Sequence, residues 1–160
     1  MDWNSPQLRH KINDWISEDI GSGDLTQSCI TENIGKALWV AKEDGIFCGI
    51  ELLKIIFNQI DKDINVNPLI SDGQKFKKNQ KLIELDGPSR SLLASERISL
   101  NIAMHLSGIS THTYNIVKKL RNTGIKLADT RKTTPGLRNL EKYAFKCGGG
   151  INHRMGLYDA

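Results

Sequence analysis

The run of residues 88–120 constrains the fold of this chain more than any other feature. Its apolar positions recur at steps of three, four and seven, which is the spacing of one face of an α-helix. One stripe consists of Ile98, Ile102, Leu106, Ile109, Ile116 and Leu120, and a second of Leu93, Leu100 and Met104. The two stripes predict a long helix that is buried on two sides and joins two packed units. Gly108 lies mid-helix, where it costs about 1 kcal/mol relative to alanine, and so indicates close backbone packing or a break.

Shorter elements are predicted on either side of this helix. Ahead of it we expect a helix over 5–20, a strand over 36–42, extended chain at 46–48, a helix over 50–60, and extended runs at 64–70 and 81–85 separated by a lysine-rich loop. After it we expect a short strand at 125–128 and a helix over 140–147 that ends at Gly148, Gly149 and Gly150. Residues 24–26 should begin an irregular link. The alternation predicts an α/β fold in which a sandwich comes first.

Length and composition are those of a soluble globular protein. The 160 residues are 39% hydrophobic and 25% charged, enough for one core or for one domain and part of a second. No apolar run approaches a membrane span, and the first residues lack the basic and apolar regions of a signal peptide. We therefore expect a cytoplasmic protein with no membrane partner. Cys29, Cys48 and Cys147 form no C-x-x-C pair, so we expect reduced thiols, with neither a disulfide framework nor a zinc site.

Positive charge is concentrated near the end of the sequence. Residues 118–154 contain ten lysines and arginines against Asp129 and Glu141, a net charge of +8, whereas the rest of the chain sums to −4. Such a segment indicates a localised anion site, a nucleic-acid contact, or a solvated lysine-rich helix face. Only Tyr143 and Phe145 could interleave aromatic rings with these cations, so we expect no nucleic-acid partner.

The motif DTRKTTPGLR at 129–138 follows the predicted strand 125–128 directly. Asp129, Arg131 and Lys132 would then lie at the carboxyl end of a strand, where α/β folds build their sites. Arginine can bind a carboxylate or phosphate through two parallel hydrogen bonds, and lysine supplies a point charge. Neighbouring strand residues face opposite ways, so both can serve one ligand only if the chain has turned, which Pro135-Gly136 supports. The alternative is a surface loop that Asp129 ties to a neighbouring cation.

Two weaker candidates remain. GGGINHRMGL at 148–157 has neither dinucleotide-binding nor Walker spacing, but its glycines could offer backbone N–H groups to an anion just before His153 and Arg154, or could simply end a helix. Arg97 lies beside the apolar stripe and could bind a ligand or pair with Glu96 or another acid. We assign the remaining histidines to packing or solvent: His10, His105 and His112.

Several motifs together resemble those of the quinolinate phosphoribosyltransferases, also called carboxylating nicotinate-nucleotide pyrophosphorylases. In chain order they are EDIGSGDLT at 18–26, AKEDGIFCGIE at 41–51, ERISLNIAMHLSGIST at 96–111, DTRKTTPGLRNLEKYAFKCGGG at 129–150 and NHRMGLYD at 152–159. DTRKTTPGLR followed by GGG-x-NHR is highly specific to that family.

The resemblance implies transfer of a phosphoribosyl group from phosphoribosyl pyrophosphate to quinolinate with decarboxylation, a step of de novo NAD synthesis that uses Mg²⁺. It implies an α/β sandwich over 1–112, including the long linking helix, followed by the first part of an α/β barrel over 113–160. It also implies a homodimer in which Arg97 reaches the partner's site. The substrate-binding residues that it indicates are Arg97, Thr130, Arg131, Lys132, His153 and Arg154, with Lys132 also catalytic.

The sequence departs from the family pattern at its end. The family's K-x-N-H motif, the acidic residues that hold ribose and metal, and the glycine-containing phosphate loop do not occur in it. We therefore expect the chain to be inactive alone and residues 113–160 to be poorly packed. The alternatives are a related phosphoribosyltransferase with another acceptor, and a fragment that only binds the dicarboxylate or dimerises.

Overall fold

The computed structural model describes residues 1–25 and 29–159 and contains all four predicted helices in their predicted order. In chain order these are α1 (Pro6–Ile20), β1 (Ile34–Val40), β2 (Gly45–Ile46), α2 (Ile50–Ile60), β3 (Asn65–Pro68), β4 (Lys75–Phe76), β5 (Lys81–Pro88), α3 (Ser89–Leu120) and α4 (Arg138–Cys147). The link predicted at 24–26 cannot be followed to its end, because Thr26 lies outside the described residues.

The strands form two antiparallel sheets. β5 is the central strand of the larger sheet, whose order is β1-β5-β3, and Trp39 and Ile83 are one of its registered pairs. β2 pairs with β4, so part of the lysine-rich segment predicted as a loop is a short strand. Its two residues were too few for a period-two pattern to show.

Two buried clusters share α2. Leu53 and Phe57 pack with Ile83 and Leu85 of the larger sheet, whereas Leu52 and Ile56 pack with residues of α1, α3 and α4. Because both faces of α2 are covered, it is the layer between the sheet and the other helices.

The long helix α3 was predicted correctly in extent but not in its environment. Ile98 and Leu106 of the first stripe are buried. In the second stripe Leu93 is 45% and Met104 62% exposed, and both line an apolar groove of about 1190 Å³ between α3 and β1. Burial of this second stripe was therefore a wrong prediction. Gly108 also lines the groove, a Cβ there would meet nothing within 4 Å, and the helix is unbroken, so the prediction of close packing or a break was wrong too.

The segment after α3 begins a strand–helix–strand unit. The predicted strand 125–128 is reduced to one parallel bridge, between Ala128 and Ile151, with α4 in the connection. α4 packs firmly against α3, with Leu140 and Ala144 buried, so the expectation of loose packing is wrong for this helix. That expectation holds for four large apolar side chains on either side of α4 in the sequence, which are exposed: Ile125, Ile151, Leu157 and Tyr158.

No helix in the described part of the chain combines the length and the apolar character needed to cross a bilayer.

Candidate functional site

Two of the predicted site motifs meet at the parallel bridge. The amide of Ile151 donates to the carbonyl of Leu127 at 2.9 Å, and the amide of Asp129 donates to the carbonyl of Ile151 at 3.1 Å. Residues 130–132 and 152–154 therefore leave the same short ladder in the same direction. The two cationic motifs, which are more than twenty residues apart in sequence, become neighbours at its end.

A buried ion pair fixes this junction. Lys142 Nζ lies 2.5 Å from Asp129 Oδ1, and the two side chains are only 1% and 7% exposed. Lys142 also donates to the carbonyl of His153 at 3.0 Å, while the amide of His153 donates to Asp129 Oδ1 at 2.7 Å. The side-chain amide of Asn152, oriented with its nitrogen inward, donates to Asp129 Oδ2 at 3.1 Å and to the carbonyl of Lys142 at 2.9 Å.

The role of Lys142 could not be read from the sequence. The idea that Asp129 is tied to a cation is correct, but the pair is buried rather than on a surface loop. Lysine is rarely found fully buried without a partner, and the periodicity of α4 gives no sign that a lysine between Leu140 and Ala144 points inward. The pair can form only because the chain folds residue 129 back over α4.

The chain turns immediately after the bridge. The Thr130 hydroxyl accepts a hydrogen bond from the backbone amide of Lys132 at 3.1 Å, so the expected turn is present and begins before Pro135-Gly136. Arg138 then holds the loop, because its guanidinium donates to the Thr133 hydroxyl at 3.2 Å and to the carbonyls of Met155 and Arg131 at 3.2 and 3.4 Å. Arg138 is thus a structural cation and not a free ligand for an anion.

A pocket of about 300 Å³ opens beside the turn. Its lining residues are Ile109, Ala128, Asp129, Thr130, Lys132, Thr133, Glu141, Lys142 and Phe145. The lining combines an apolar wall with polar groups, as small-molecule sites do, and the volume is at the low end of their range. Thr130 and Lys132, two of the predicted binding residues, face it.

Glu141 lies in this pocket with its carboxylate already hydrogen-bonded. It accepts hydrogen bonds from the amide of Thr134 at 3.1 Å and faces His105 Nε2 at 3.1 Å. Burial works to raise the pKa of Glu141, but the bonds from Thr134 and His105 outweigh it and hold that pKa below the ordinary value. His105 is exposed, as its assignment to solvent predicts, and it also pairs with an acid of the pocket wall.

Arg131 lies between the two pocket residues and is half-buried. Its Nε is buried and has no hydrogen-bond partner among the described residues. A buried guanidinium N–H without an acceptor is costly, and such groups are normally paired. Arg131 is not among the residues that line the pocket, so this donor without an acceptor lies outside the lining to which Thr130 and Lys132 contribute.

The remaining predicted residues are exposed. His153 and Arg154 follow the bridge with exposed side chains, and Arg97 is exposed on α3, where it joins no ion pair among the described residues and does not line the pocket. Their roles stay predictions. A zinc site was not expected, yet one ligand atom each of Cys48, Asp72 and Cys147 lie within 4.8 Å of one another.

The glycine run ends α4 and binds no anion through its amides. The N–H groups of Gly148, Gly149 and Gly150 donate to carbonyls of Ala144, Lys146 and Phe145. A Cβ on Gly148 would lie 2.4 Å from the Ser110 carbonyl oxygen, and one on Gly150 would lie 2.1 Å from the Phe145 ring. The amide bonds to carbonyls of α4 confirm the helix-ending interpretation, and the short Cβ distances show that the glycines are also needed for close packing.

Comparison with known proteins identifies both parts of the chain. The family model "Quinolinate phosphoribosyl transferase, N-terminal domain" matches residues 24–107, and the model for the C-terminal domain matches residues 109–160. A probable nicotinate-nucleotide pyrophosphorylase [carboxylating] from Bacillus subtilis is 47% identical over 157 residues, covering 98% of this chain and 54% of that protein. A protein of the same name from Synechocystis is 43% identical over 93% of this chain and 51% of its own length.

The fold agrees with the same family. The structure of the nicotinate-nucleotide pyrophosphorylase from Francisella tularensis matches with a TM-score of 0.94 and 40% identity, over 98% of this chain and 58% of that one. The predicted fold class, a sandwich followed by the first part of a barrel, is confirmed. The chain spans about half the length of the relatives that it matches, and it belongs to the quinolinate phosphoribosyltransferase family.

Proposed function

We propose that this chain carries the dicarboxylate-binding part of a quinolinate phosphoribosyltransferase. In the proposed reaction the ring nitrogen of quinolinate displaces pyrophosphate from phosphoribosyl pyrophosphate, and loss of one carboxylate as carbon dioxide leaves nicotinate mononucleotide. The names of the relatives and the motifs at 129–138 and 148–154 support this proposal.

The proposal rests on two observations: Thr130 and Lys132 line the pocket, and Arg131, which lies between them in sequence but is not among the lining residues, keeps a buried Nε without a partner among the described residues. A planar carboxylate is the acceptor that a guanidinium binds best. A cation about 4 Å from a carboxylate in a partly screened cleft gains roughly 4 kcal/mol of Coulomb energy before desolvation. In this proposal a flat diacid such as quinolinate engages Lys132 in the pocket with one carboxylate, and the guanidinium of Arg131 turns toward the pocket to bind the other.

The proposed roles follow from what each group can do. Lys132 would place a positive charge by the reacting ring, and Thr130 would donate its hydroxyl to a carboxylate. His153 and Arg154 would close over the ligand from the neighbouring strand end. The gain of such fixed groups is chiefly orientation, which holds the ring nitrogen in line for attack.

We propose a cytoplasmic homodimer in which Arg97 serves the partner's site. Arg97 is spaced four, three and seven residues from Leu93, Leu100 and Met104, which places all four on one helical face. That face is exposed, and the apolar groove adjoins it. A second subunit covering the stripe would bury the leucines and leave Arg97 reaching across.

Magnesium belongs to the proposed reaction as the resemblance implies it. The two carboxylates that line the pocket do not fit an ion, since Asp129 is bound to Lys142 and Glu141 to Thr134 and His105. We derive no step through the metal from these residues.

Calorimetric titration of the chain with quinolinate and with nicotinate tests the proposal. We expect quinolinate to bind and nicotinate to bind at least tenfold more weakly, because one carboxylate is lost from a charge-assisted contact. Arg131→Gln should weaken the binding of quinolinate by about 10–100-fold. Lys119→Met removes an equal charge from an exposed position on α3 and should leave the affinity for quinolinate unchanged. Equal affinity for both acids would favour a relative with another acceptor.

Complementation distinguishes an enzyme part from a binding fragment. We expect no turnover from the chain alone. Mixed with a full-length relative whose arginine corresponding to Arg97 has been replaced, the chain should restore activity by donating its own. Absence of recovery would contradict the proposed role of Arg97.

A further inference from the structure

Two cysteines from distant parts of the chain lie close together at the C-terminal end of α4. Cys48 lies two residues before the start of α2 and is fully buried, and Cys147 is the last residue of α4 and is half-buried. Their Sγ atoms and a carboxylate oxygen of Asp72 all lie within 4.8 Å of one another. The thiols come from the two regions matched by the two different family models.

One carboxylate holds both cysteines in place. Asp72 Oδ1 accepts the amides of Gly49 and Ile50, at 2.8 and 3.0 Å, immediately after Cys48. Asp72 Oδ2 accepts the hydroxyl of Tyr143 at 2.8 Å, one helical turn before Cys147. The separation of the sulfur atoms is therefore set by hydrogen bonds on either side of them.

Further contacts keep both backbones from moving. The amide of Cys48 donates to the Ser107 hydroxyl at 3.1 Å. Gly148, which follows Cys147, packs so closely on α3 that a Cβ would lie 2.6 Å from Thr113. With the backbones held, the two side chains need to move by only a few ångströms for the sulfur atoms to reach the separation of about 2.05 Å found in a disulfide bond.

We propose that Cys48 and Cys147 are a reactive thiol pair that peroxide converts into an intramolecular disulfide joining the N-terminal region to α4. Cys147 is the attacking group, because it is the accessible one, and Cys48 is the resolving thiol behind it.

The acidities of the two thiols agree with this order. A hydrogen bond from Cys48 lowers the pKa of Cys147 below its ordinary value, and it outweighs the opposing effects of burial and of the Asp72 carboxylate. The same hydrogen bond, together with burial, raises the pKa of Cys48 above its ordinary value. The thiolate, which is the nucleophile, therefore forms first on Cys147.

The chemistry balances in two steps. The Cys147 thiolate attacks a peroxide oxygen, the O–O bond breaks, and the departing hydroxide takes a proton to give water and a sulfenic acid. The loss of negative charge on Cys147 removes the main cause that raised the pKa of Cys48. Cys48 then gives up its proton and attacks the Cys147 sulfur, the S–O bond breaks, and the second hydroxide takes that proton as water. The two thiols lose two electrons and peroxide is reduced to water.

Mass spectrometry of the peroxide-treated protein after non-reducing digestion tests the proposal. We expect a Cys48–Cys147 cross-linked peptide as the main product, both in the native sequence and in the control Cys29→Ser. Cys48→Ala should accumulate a sulfenic acid on Cys147 that dimedone traps, and Cys147→Ala should give no cross-link. In concentrated urea the preference for this pair should vanish, because it depends on the fold.

A second measurement does not depend on any variant. The disulfide closes a loop of about 100 residues, so the oxidised protein should melt several degrees above the reduced protein. Cross-links as random as those in urea, direct oxidation of Cys147 to sulfinic acid, or a bound zinc ion that protects both thiols would each overturn the proposal.

Discussion

Replacing Lys142 by methionine would remove the cation from the buried pair that joins the two cationic motifs. Methionine keeps most of the volume of the side chain, so the change is chiefly one of charge. The Asp129 carboxylate, 7% exposed, would lose Lys142, and the carbonyl of His153 would lose a donor.

The expected loss of stability follows from what remains. Removing one partner of a buried ion pair costs about 3–5 kcal/mol, because an uncompensated charge stays behind. Asp129 would still accept the amide of His153 and the side chain of Asn152, so we place the cost near the lower end, at about 3 kcal/mol. That is a large part of the free energy of unfolding of a typical domain.

Urea denaturation of Lys142→Met, Asp129→Asn and the double variant measures this cost. The double variant should be less destabilised than the sum of the singles by about 2 kcal/mol, since it contains no buried charge without a partner. Lys146→Met is the matched control, because Lys146 is exposed one turn later on α4, and it should stay within about 0.5 kcal/mol of the parent. If Lys142→Met matched that control, or if the singles were additive, the buried pair would not hold the junction.

Three further changes test other parts of the structure. Gly108→Ala should stabilise the protein by about 1 kcal/mol, because the new methyl group meets open space on a helix. Gly148→Ala should destabilise it by more than about 2 kcal/mol, because the new methyl group would collide with the backbone of α3. Thermal melting measures both changes, and equal effects would contradict the packing of α4 on α3. The depressed pKa of Glu141 contributes stability that is present above its ordinary pKa of 4.5 and is lost as the pH falls through the lower folded value. Glu141→Gln should therefore flatten the stability profile below about pH 4.5, which the exposed control Glu18→Gln should not do; a profile unchanged by Glu141→Gln would exclude the effect. Asp72→Ala should lower the free energy of unfolding by roughly 2 kcal/mol, because the amides of Gly49 and Ile50 at the start of α2 lose their acceptor. Urea denaturation measures this loss, and a loss no greater than that of a surface substitution would argue against a capping role for Asp72.

Local patterns predicted the elements well where a face of the chain is repetitive. The stripe through Ile98 and Leu106 predicted α3 almost to its ends, and the glycines after Cys147 predicted the end of α4. The same reasoning failed for Leu93 and Met104, because apolar spacing shows that a face is hydrophobic but not whether another part of the same chain covers it.

The candidate site was only half visible in the sequence. Thr130, Arg131 and Lys132 stand out as a dense polar motif, but Lys142 and Glu141 look like ordinary residues of an amphipathic helix. What makes them part of the site is the fold of residue 129 over α4, a contact that no local pattern encodes.

The sequence by itself determined the order of the helices, the family and the chemical character of the site, because these depend on short-range periodicity and on motifs in fixed spacing. Only the tertiary structure decided which charges are neutralised within the chain and which remain for a ligand. Arg138 and Lys142 are used by the fold, whereas Arg131 keeps a buried Nε without a partner among the described residues. The reason is physical: the cost of a buried charge depends on the groups within a few ångströms of it, and those groups come from residues far apart in sequence.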